Sequence, residues 1–312
     1  LDSTNVCAST VAVITSIGLD HQRVLGYSIA EIAAEKAGLI KGGVPVISGV
    51  TDPEAAEVIA RVAAESGSQL LEKGDAFEVR QPLEAAVGSQ FVYRATADAL
   101  VRPEQQNDLP VFLGLDGGHQ VHNAAVAISI ARLLSGPLVE NPLSISDAQI
   151  TQAMRVVRCS GRMERFGLQR SGTPQSDQQI APIQIVIDTS HNHDSIAALC
   201  DSIRGRTIED DRRPSGAVPP QCRGNGQFRR PIVAVMAVSR DKDIAPMAAE
   251  LASISDEIIC TRFTTNPRAV DASDLTRCIT RNGLDRSRQG FESQQPAVRC
   301  ENDPRAALDK AI

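Results

Sequence analysis

Apolar and polar positions along the chain follow the pattern of buried strands that alternate with amphipathic helices. Residues 9–17 are β-branched and almost continuously apolar, which predicts a strand buried on both faces, as in parallel sheets. Ser28 and Glu31 have the spacing of a capping box, so a helix is expected from there to about Ala37. The same reasoning predicts strands at 44–48, 77–80 and 90–95, identifies an apolar run at 111–115, and predicts helices at about 53–66, 119–134 and 147–157.

The C-terminal half shows a second series of strands and helices. Strands are predicted at 183–188, 231–238 and 256–261, and helices at about 193–204, 243–253 and 272–281. Because such alternation is typical of βαβ units, this half is expected to form a parallel, doubly wound sheet. Residues 205–230 are rich in glycine, proline and arginine, and are predicted to be a flexible surface insertion.

Composition and motifs exclude several classes of protein. A net charge of −6 gives no general attraction to nucleic acid or to an anionic membrane, and no apolar run reaches the length of a membrane helix. The seven cysteines include no C-x-x-C pair, which argues against a zinc site and fits the reducing cytoplasm. The sequence also lacks the Gly-rich dinucleotide fingerprint, the phosphate-binding P-loop and the G-x-S-x-G nucleophile elbow.

Histidine is the residue type whose placement suggests a site. The five histidines fall in three clusters, each directly after an apolar strand: His21, His119 with His122, and His191 with His193. Ligands of open α/β sheets bind at the carboxyl ends of strands, so these histidines are candidates for metal, phosphate or proton chemistry. The alternative is that each histidine is a helix cap or an ordinary surface residue.

The first cluster lies in a run of residues that resembles a known family. The segments Leu1–Asn5, Thr15–His21 and Glu35–Lys41 resemble the middle of folylpolyglutamate synthase/dihydrofolate synthase, which belongs to the Mur ligase superfamily. Further matches follow in family order, so the resemblance covers almost the whole chain. It is weakest at 73–110, 169–182 and 205–230.

The resemblance implies roles for residues in the N-terminal half. His21 would bind Mg²⁺, and Lys36 would be carbamylated, which turns an ammonium into an oxygen ligand suited to that ion. Leu1, Asp2 and Ser3 would line the pterin pocket. For Lys36 the alternative is an ordinary lysine on the surface of a helix.

The resemblance also implies an ATP site. Asn123 would contact the adenine, since an amide can both donate and accept hydrogen bonds. Arg162 would reach the phosphates, for which a planar guanidinium fork is suited. Asp188 and His191 would face the nucleotide, with His191 among the catalytic residues.

Several positions depart from the family pattern or match it loosely. Thr189, Ser190 and His193 stand in the segment that usually reads Asp-Gly-Ala-His-Asn-Pro. The usual glycine at position 189 allows a close backbone approach, so the threonine is expected to alter the local geometry. The segments Ser239–Asp243 and Asn266–Arg268 are similar to family motifs, with solvated turns as the alternative.

The implied fold class is α/β in two domains. Residues 1–160 would be an incomplete Mur ligase central domain, with a parallel sheet and a small antiparallel portion. Residues 161–312 would be a Rossmann-like, doubly wound C-terminal domain. Because no P-loop is present, the chain is expected to be a fragment that does not turn over ATP by itself.

The implied activity is ATP-dependent amide formation. The carboxylate of a folate or dihydropteroate would be phosphorylated by ATP and then attacked by the amino group of L-glutamate, with Mg²⁺ as the metal. A monomeric cytoplasmic ligase is expected, without nucleic-acid or membrane partners. Two alternatives stay open, a peptidoglycan Mur ligase and a non-catalytic remnant. The sequence leaves undecided whether dihydrofolate synthesis, glutamate-tail extension or both would be catalysed.

Overall fold

The chain forms two units, which divide between Arg158 and Cys159. The computed structural model describes residues 3–19, 22–85, 87–168, 183–205, 207–208, 228–282 and 295–312. Most of the predicted insertion at 205–230 therefore lies outside the described residues. Within the described residues, no helix is both long enough and apolar enough to cross a membrane.

The first unit contains a three-stranded parallel sheet. Its strands lie in the order β1, β2, β3, and their residue ranges are Ala12–Ile14, Val46–Ser48 and Leu70–Glu72. A 3₁₀ helix at Ser3–Val6 precedes the sheet, and the connecting helices are α1 (Gln22–Leu25), α2 (Ile29–Ala37) and α3 (Pro53–Glu65). The predicted parallel sheet is confirmed for this part of the chain.

Local sequence signals set the starts of these helices. The Ser28 side chain accepts the Glu31 amide, and the Glu31 carboxylate in turn accepts the Ser28 amide, as the capping box predicts. The backbone amides of Tyr27 and Ser28 both donate to the Glu31 carboxylate, and these bonds lower its pKa. Asp52 caps α3 in the same way, with Pro53 at the first helical position.

An antiparallel sheet follows in the same unit. Strands β4 (Phe77–Glu84), β5 (Ser89–Ala95) and β6 (Asp108–Leu113) pair in chain order. Helix α4 (Gly118–Leu134) packs against β4 and β5, and helix α5 (Asp147–Val156) packs against β6. The sequence predicts the β4–β5 pair, whereas the third strand of this sheet appears there only as an apolar run.

The charged side chain of Arg132 is enclosed in this unit. The Arg132 side chain has no exposed surface, and its guanidinium lies 5.1 Å from the centre of the Tyr93 ring. One nitrogen, Nη2, donates to both oxygens of Asp147 at 3.0 Å and to the carbonyl of Gln106 at 2.9 Å. Nε and Nη1 have no hydrogen-bond partner among the described residues. This ion pair therefore ties α4 to the start of α5.

The second unit also combines antiparallel and parallel pairs. Strands β7 (Glu164–Leu168) and β8 (Ile183–Ile187) are antiparallel, and the short strands β9 (Thr207–Ile208) and β10 (Phe228–Arg229) are parallel. A three-stranded parallel sheet has the order β11 (Val233–Met236), β12 (Glu257–Cys260), β13 (Ala297–Cys300). The helices of this unit are α6 (His193–Arg204), α7 (Ile244–Ile254), α8 (Ala272–Asn282) and α9 (Pro304–Ala311).

The second unit differs from the prediction in several respects. Strand β8 is expected in the parallel sheet, but the pairing that the structure shows is antiparallel, with β7. An apolar run identifies a strand but not the strand that pairs with it. That pairing depends on contacts between residues distant in sequence. The strand at Ala297–Cys300 and the helix at Pro304–Ala311 are absent from the prediction. That helix nevertheless has the same Asp-Pro start as α3.

Candidate functional site

Lys36 lies at the carboxyl end of a strand in the first unit. It is in the last turn of α2, and its Nζ donates to the main-chain carbonyl of Ser16, just beyond β1, at 3.1 Å. Ala33 and Ala37 are fully buried, so this face of α2 packs closely against the core of the unit. The lysine is therefore at the edge of the sheet where ligands of α/β proteins bind.

The proposed partners of Lys36 cannot be placed beside it. His21, Leu1 and Asp2 lie outside the described residues, as does the side chain of Ser3. Among the described residues, no group of three or more His, Cys, Asp or Glu side chains could hold a metal ion. An unmodified ammonium cannot ligate Mg²⁺, so Lys36 fits that role only as its carbamate, whose oxygens are the donors that this ion prefers.

The start of α4 presents the second histidine cluster. Gly117 precedes the helix with φ of +98°, a conformation that favours glycine, and Gln120 is nearly buried in the first turn. Asn123 is exposed one turn later, and its Nδ2 lies 3.5 Å from Oε1 of Gln120. The predicted adenine contact thus lies on an accessible part of the helix.

Lys73 acts electrostatically on His122 of this cluster. The pKa of His122 is lowered by burial first, and then by the nearby positive charges of Lys73 and His119. Burial also lowers the pKa of Lys73 itself. Lys73 directly follows β3, a strand that the sequence reasoning missed, although a basic residue after Leu70 and Leu71 is a signal of the kind used for the histidines.

In the second unit, Asp188 and the turn that carries Arg162 lie together at the carboxyl end of β8. The two oxygens of Asp188 accept the amide of Met163, at 2.8 Å, and the amide and hydroxyl of Ser190. Because Met163 follows Arg162 directly, Asp188 holds the turn that carries this arginine. The resemblance implies a nucleotide contact for Asp188, and what the structure shows is bonding within the protein.

His191 and Asn192 complete this end of β8. His191 is exposed, and its Nδ1 lies 3.1 Å from the carbonyl of Thr189. A carbonyl only accepts, so Nδ1 carries the proton and a neutral imidazole keeps its Nε2 unprotonated. Asn192 caps α6 by accepting the amide of Ser195. The cap is therefore Asn192, and His191 lies beside it.

A cavity of about 240 Å³ lies at the carboxyl ends of β11 and β12. It is lined by Arg240, Arg262, Phe263, Thr264, Asn266, Pro267, Ala269 and Asp271. Arg240 donates its amide to the carbonyl of Arg268 at 2.9 Å, so the two loosely matched motifs meet here. The sequence reasoning missed Arg262, although it follows a buried strand.

The charged side chains that line this cavity are more often positive than negative. Arg262 lies 3.8 Å from Asp271, and that aspartate also accepts the amide and hydroxyl of Ser273. The bonds from Ser273 contribute most to lowering the pKa of Asp271, and the two arginines lower it further. Two guanidinium groups thus face one carboxylate, which leaves a positive excess suited to an anionic ligand.

The chain is similar to known ligases. It is 31% identical over 269 residues to the folylpolyglutamate synthase of Lacticaseibacillus casei, across 86% of this chain and 52% of that protein. No family model matches it. The solved structure of Mycobacterium tuberculosis folylpolyglutamate synthase with ADP and AMPPCP superposes with a TM-score of 0.73 at 25% identity, covering 99% of this chain and 58% of that one.

A second solved structure extends the comparison. It is a bifunctional folylpolyglutamate synthase/dihydrofolate synthase with Mn, AMPPNP and L-glutamate bound, at a TM-score of 0.65 and 25% identity, covering 100% of this chain and 57% of that one. The chain spans about half the length of the relatives that it matches. In both sequence and fold, the chain is therefore similar to folylpolyglutamate synthases and dihydrofolate synthases.

Proposed function

We propose that this chain supplies part of the active site of an ATP-dependent ligase that joins L-glutamate to the carboxylate of a folate or dihydropteroate. The observation that carries the proposal is the Arg162 turn, fixed by Asp188 beside His191 at a strand end. Relatives of the chain are named for this activity, and one was solved with ADP and AMPPCP. Residues 1–160 and 161–312 would correspond to the central and C-terminal domains.

The reaction needs an activated carboxylate. The γ-phosphoryl group of ATP passes to the substrate carboxylate, which gives an acyl phosphate and ADP. The glutamate amine then attacks the acyl carbon and phosphate leaves. Bound Mg²⁺ would offset charge on the phosphates, and Lys36 as its carbamate, with His21, would hold it. Manganese in one related structure is consistent with a divalent-metal site of this kind.

Side chains of this chain would bind the nucleotide and the pterin and accept a proton. Asn123 would contact the adenine, and Arg162 would bind the phosphates with its planar fork. Leu1, Asp2 and Ser3 would line the pterin pocket. The unprotonated Nε2 of His191 would accept a proton from the glutamate amine as that amine becomes the nucleophile. The six cysteines of the described residues are free thiols, which is consistent with a cytoplasmic enzyme.

The test of the nucleotide site is equilibrium binding to the chain. We expect calorimetry to show ADP binding, and Arg162→Ala to weaken it about 10- to 100-fold, because hydrogen bonds between charged groups contribute roughly 1.5–3 kcal/mol. Arg204→Ala is the matched control, since Arg204 is a surface arginine of α6 that pairs with Asp201. Equal ADP affinity of wild type and Arg162→Ala would contradict the assigned role.

The cavity of Arg240 and Arg262 is the proposed glutamate site. Glutamate carries two carboxylates, and guanidinium groups bind carboxylates through paired hydrogen bonds. We expect Arg262→Ala to weaken L-glutamate binding at least about 10-fold, with Arg277→Ala as a control, because Arg277 is an exposed arginine of α8. Unchanged glutamate binding in Arg262→Ala would place the amino acid elsewhere.

Substrate trials separate the alternatives. A folate ligase should incorporate glutamate into pteroyl substrates in an assay of a complete ligase that carries this sequence. A peptidoglycan ligase would instead accept a nucleotide-linked muramyl substrate. Absence of both activities, together with absence of ADP binding, would favour a non-catalytic remnant.

A further inference from the structure

The turn that carries Arg162 has an unusual backbone. Gly161 and Met163 have φ of +68° and +49°, so both neighbours of the arginine adopt the left-handed conformation. Glycine adopts this conformation readily, but methionine does so at a cost that the surrounding structure must offset. Met163 is 2% exposed, so its side chain is enclosed while its backbone is strained.

Hydrogen bonds hold the turn from both sides. The amide of Gly161 donates to Glu164 at 2.9 Å, and the amide of Met163 donates to Asp188 at 2.8 Å. The amide of Thr189 donates to the carbonyl of Gly161, also at 2.8 Å. The backbone immediately before and after Arg162 is therefore bonded to residues at the end of β8.

Thr189 adds a steric contact to these bonds. A Cβ atom at position 161 would lie 2.7 Å from the Thr189 Cγ2 methyl, closer than such atoms can approach. The methyl group therefore fills the space that the missing side chain of Gly161 leaves. The absence of a side chain at Gly161 is therefore what leaves room for the threonine at position 189. The Thr189 methyl group therefore lies against Gly161 of the turn.

We propose that Asp188 and Thr189 are positioning residues, which fix the Gly161–Glu164 turn so that Arg162 meets the nucleotide phosphates from a preformed backbone. The proposal rests on the phosphate-binding role proposed for Arg162. Asp188 would act through the Met163 amide, and Thr189 through Gly161, and neither would need to touch the nucleotide. A preformed turn loses less conformational freedom when the ligand binds.

The competing account is that Asp188 binds the nucleotide directly, and a double-mutant cycle separates the two. We expect Asp188→Asn to weaken ADP binding about 10-fold in the wild-type chain and to have no further effect in Arg162→Ala. Asparagine offers one acceptor oxygen where the carboxylate uses two. A direct contact would instead give the same loss in both backgrounds.

Adenosine provides a second readout, because it lacks the phosphates that Arg162 would bind. We expect adenosine affinity to be unchanged in Asp188→Asn, whereas a contact to the ribose or base would lower it as much as that of ADP. Asp201→Asn is the control, since that exposed aspartate of α6 is bonded to Arg204 and lies outside the turn.

Hydrogen exchange tests the turn without any ligand. Amide exchange in a peptide covering 160–164 should be faster in Asp188→Asn and in Thr189→Gly than in wild type, with the melting temperature of the unit unchanged. Unchanged exchange, or additive effects in the cycle, would overturn the positioning role.

If the wild-type chain fails to bind ADP, both the proposed function and this positioning role are wrong. If wild type binds ADP and the effects are additive, the positioning role alone is wrong.

Discussion

Replacing Lys36 by arginine should reduce glutamate ligation at least about 100-fold while leaving the fold intact. Losing a preorganised electrostatic contact to the developing charge typically costs about 100- to 1000-fold in rate. Arginine keeps the positive charge but forms no carbamate, so it removes the proposed oxygen ligand of Mg²⁺. Lys36 is partly exposed and arginine has a similar length, so we expect the fold, followed by circular dichroism, to be unchanged.

Two further variants sharpen this prediction. Lys36→Ala should be equally inactive, whereas Lys36→Glu should recover a small part of the rate by placing a shorter carboxylate at the same edge. The measurement is glutamate incorporation by a complete ligase that carries this sequence. Lys41→Arg is the control, because Lys41 is a nearby lysine whose Nζ donates to the carbonyl of Asn5. Near-wild-type rates in Lys36→Arg would make Lys36 an ordinary cation.

The carbamate can also be detected without activity. Wild-type chain in ¹³C-bicarbonate should give a carbamate resonance that is lost in Lys36→Arg. The resonance should persist in Lys41→Arg. A signal that survives Lys36→Arg would place the modification on another amine.

Replacing Arg132 by methionine should lower the free energy of unfolding of the first unit by about 3–5 kcal/mol. Removing one partner of a buried ion pair leaves the other charge uncompensated, and here that charge is Asp147. The substitution also removes the contact with the Tyr93 ring and the bond to Gln106. Urea unfolding followed by circular dichroism measures the change.

Arg155 provides a matched control for Arg132. Its guanidinium also lies over an aromatic ring, 5.6 Å from the centre of Phe112, but the residue is exposed. Arg155→Met should therefore change the free energy of unfolding by no more than about 0.5 kcal/mol. A similar loss in both variants would show that the ring contact, and not the buried ion pair, accounts for the effect.

The local elements were predictable because their signals lie in neighbouring residues. The capping box of Ser28 and Glu31 and the Asp52-Pro53 pair each place a helix start within a residue of where it lies. Strands β1 and β2 follow from short β-branched runs, although each is shorter than expected. Such signals need no knowledge of the rest of the fold.

The candidate site was predictable only in part. The resemblance and the strand-end rule select Lys36, Asn123, Arg162, Asp188 and His191 as residues. Lys73 and Arg262 each follow a strand in the sequence, but what lies near them emerges only when helices and strands distant in sequence are brought together. The same is true of the cavity that Arg262 lines.

The sequence by itself determined the α/β class, the helix starts and the chemistry available at the strand ends, because each of these depends on residues a few positions apart. The tertiary structure alone decided that the partner of β8 is the antiparallel strand β7. It also decided what Asp188 bonds to and that Thr189 fills the space beside Gly161. These outcomes depend on contacts between residues 15 or more positions apart, whose geometry is set by packing and by the need of buried polar groups for partners.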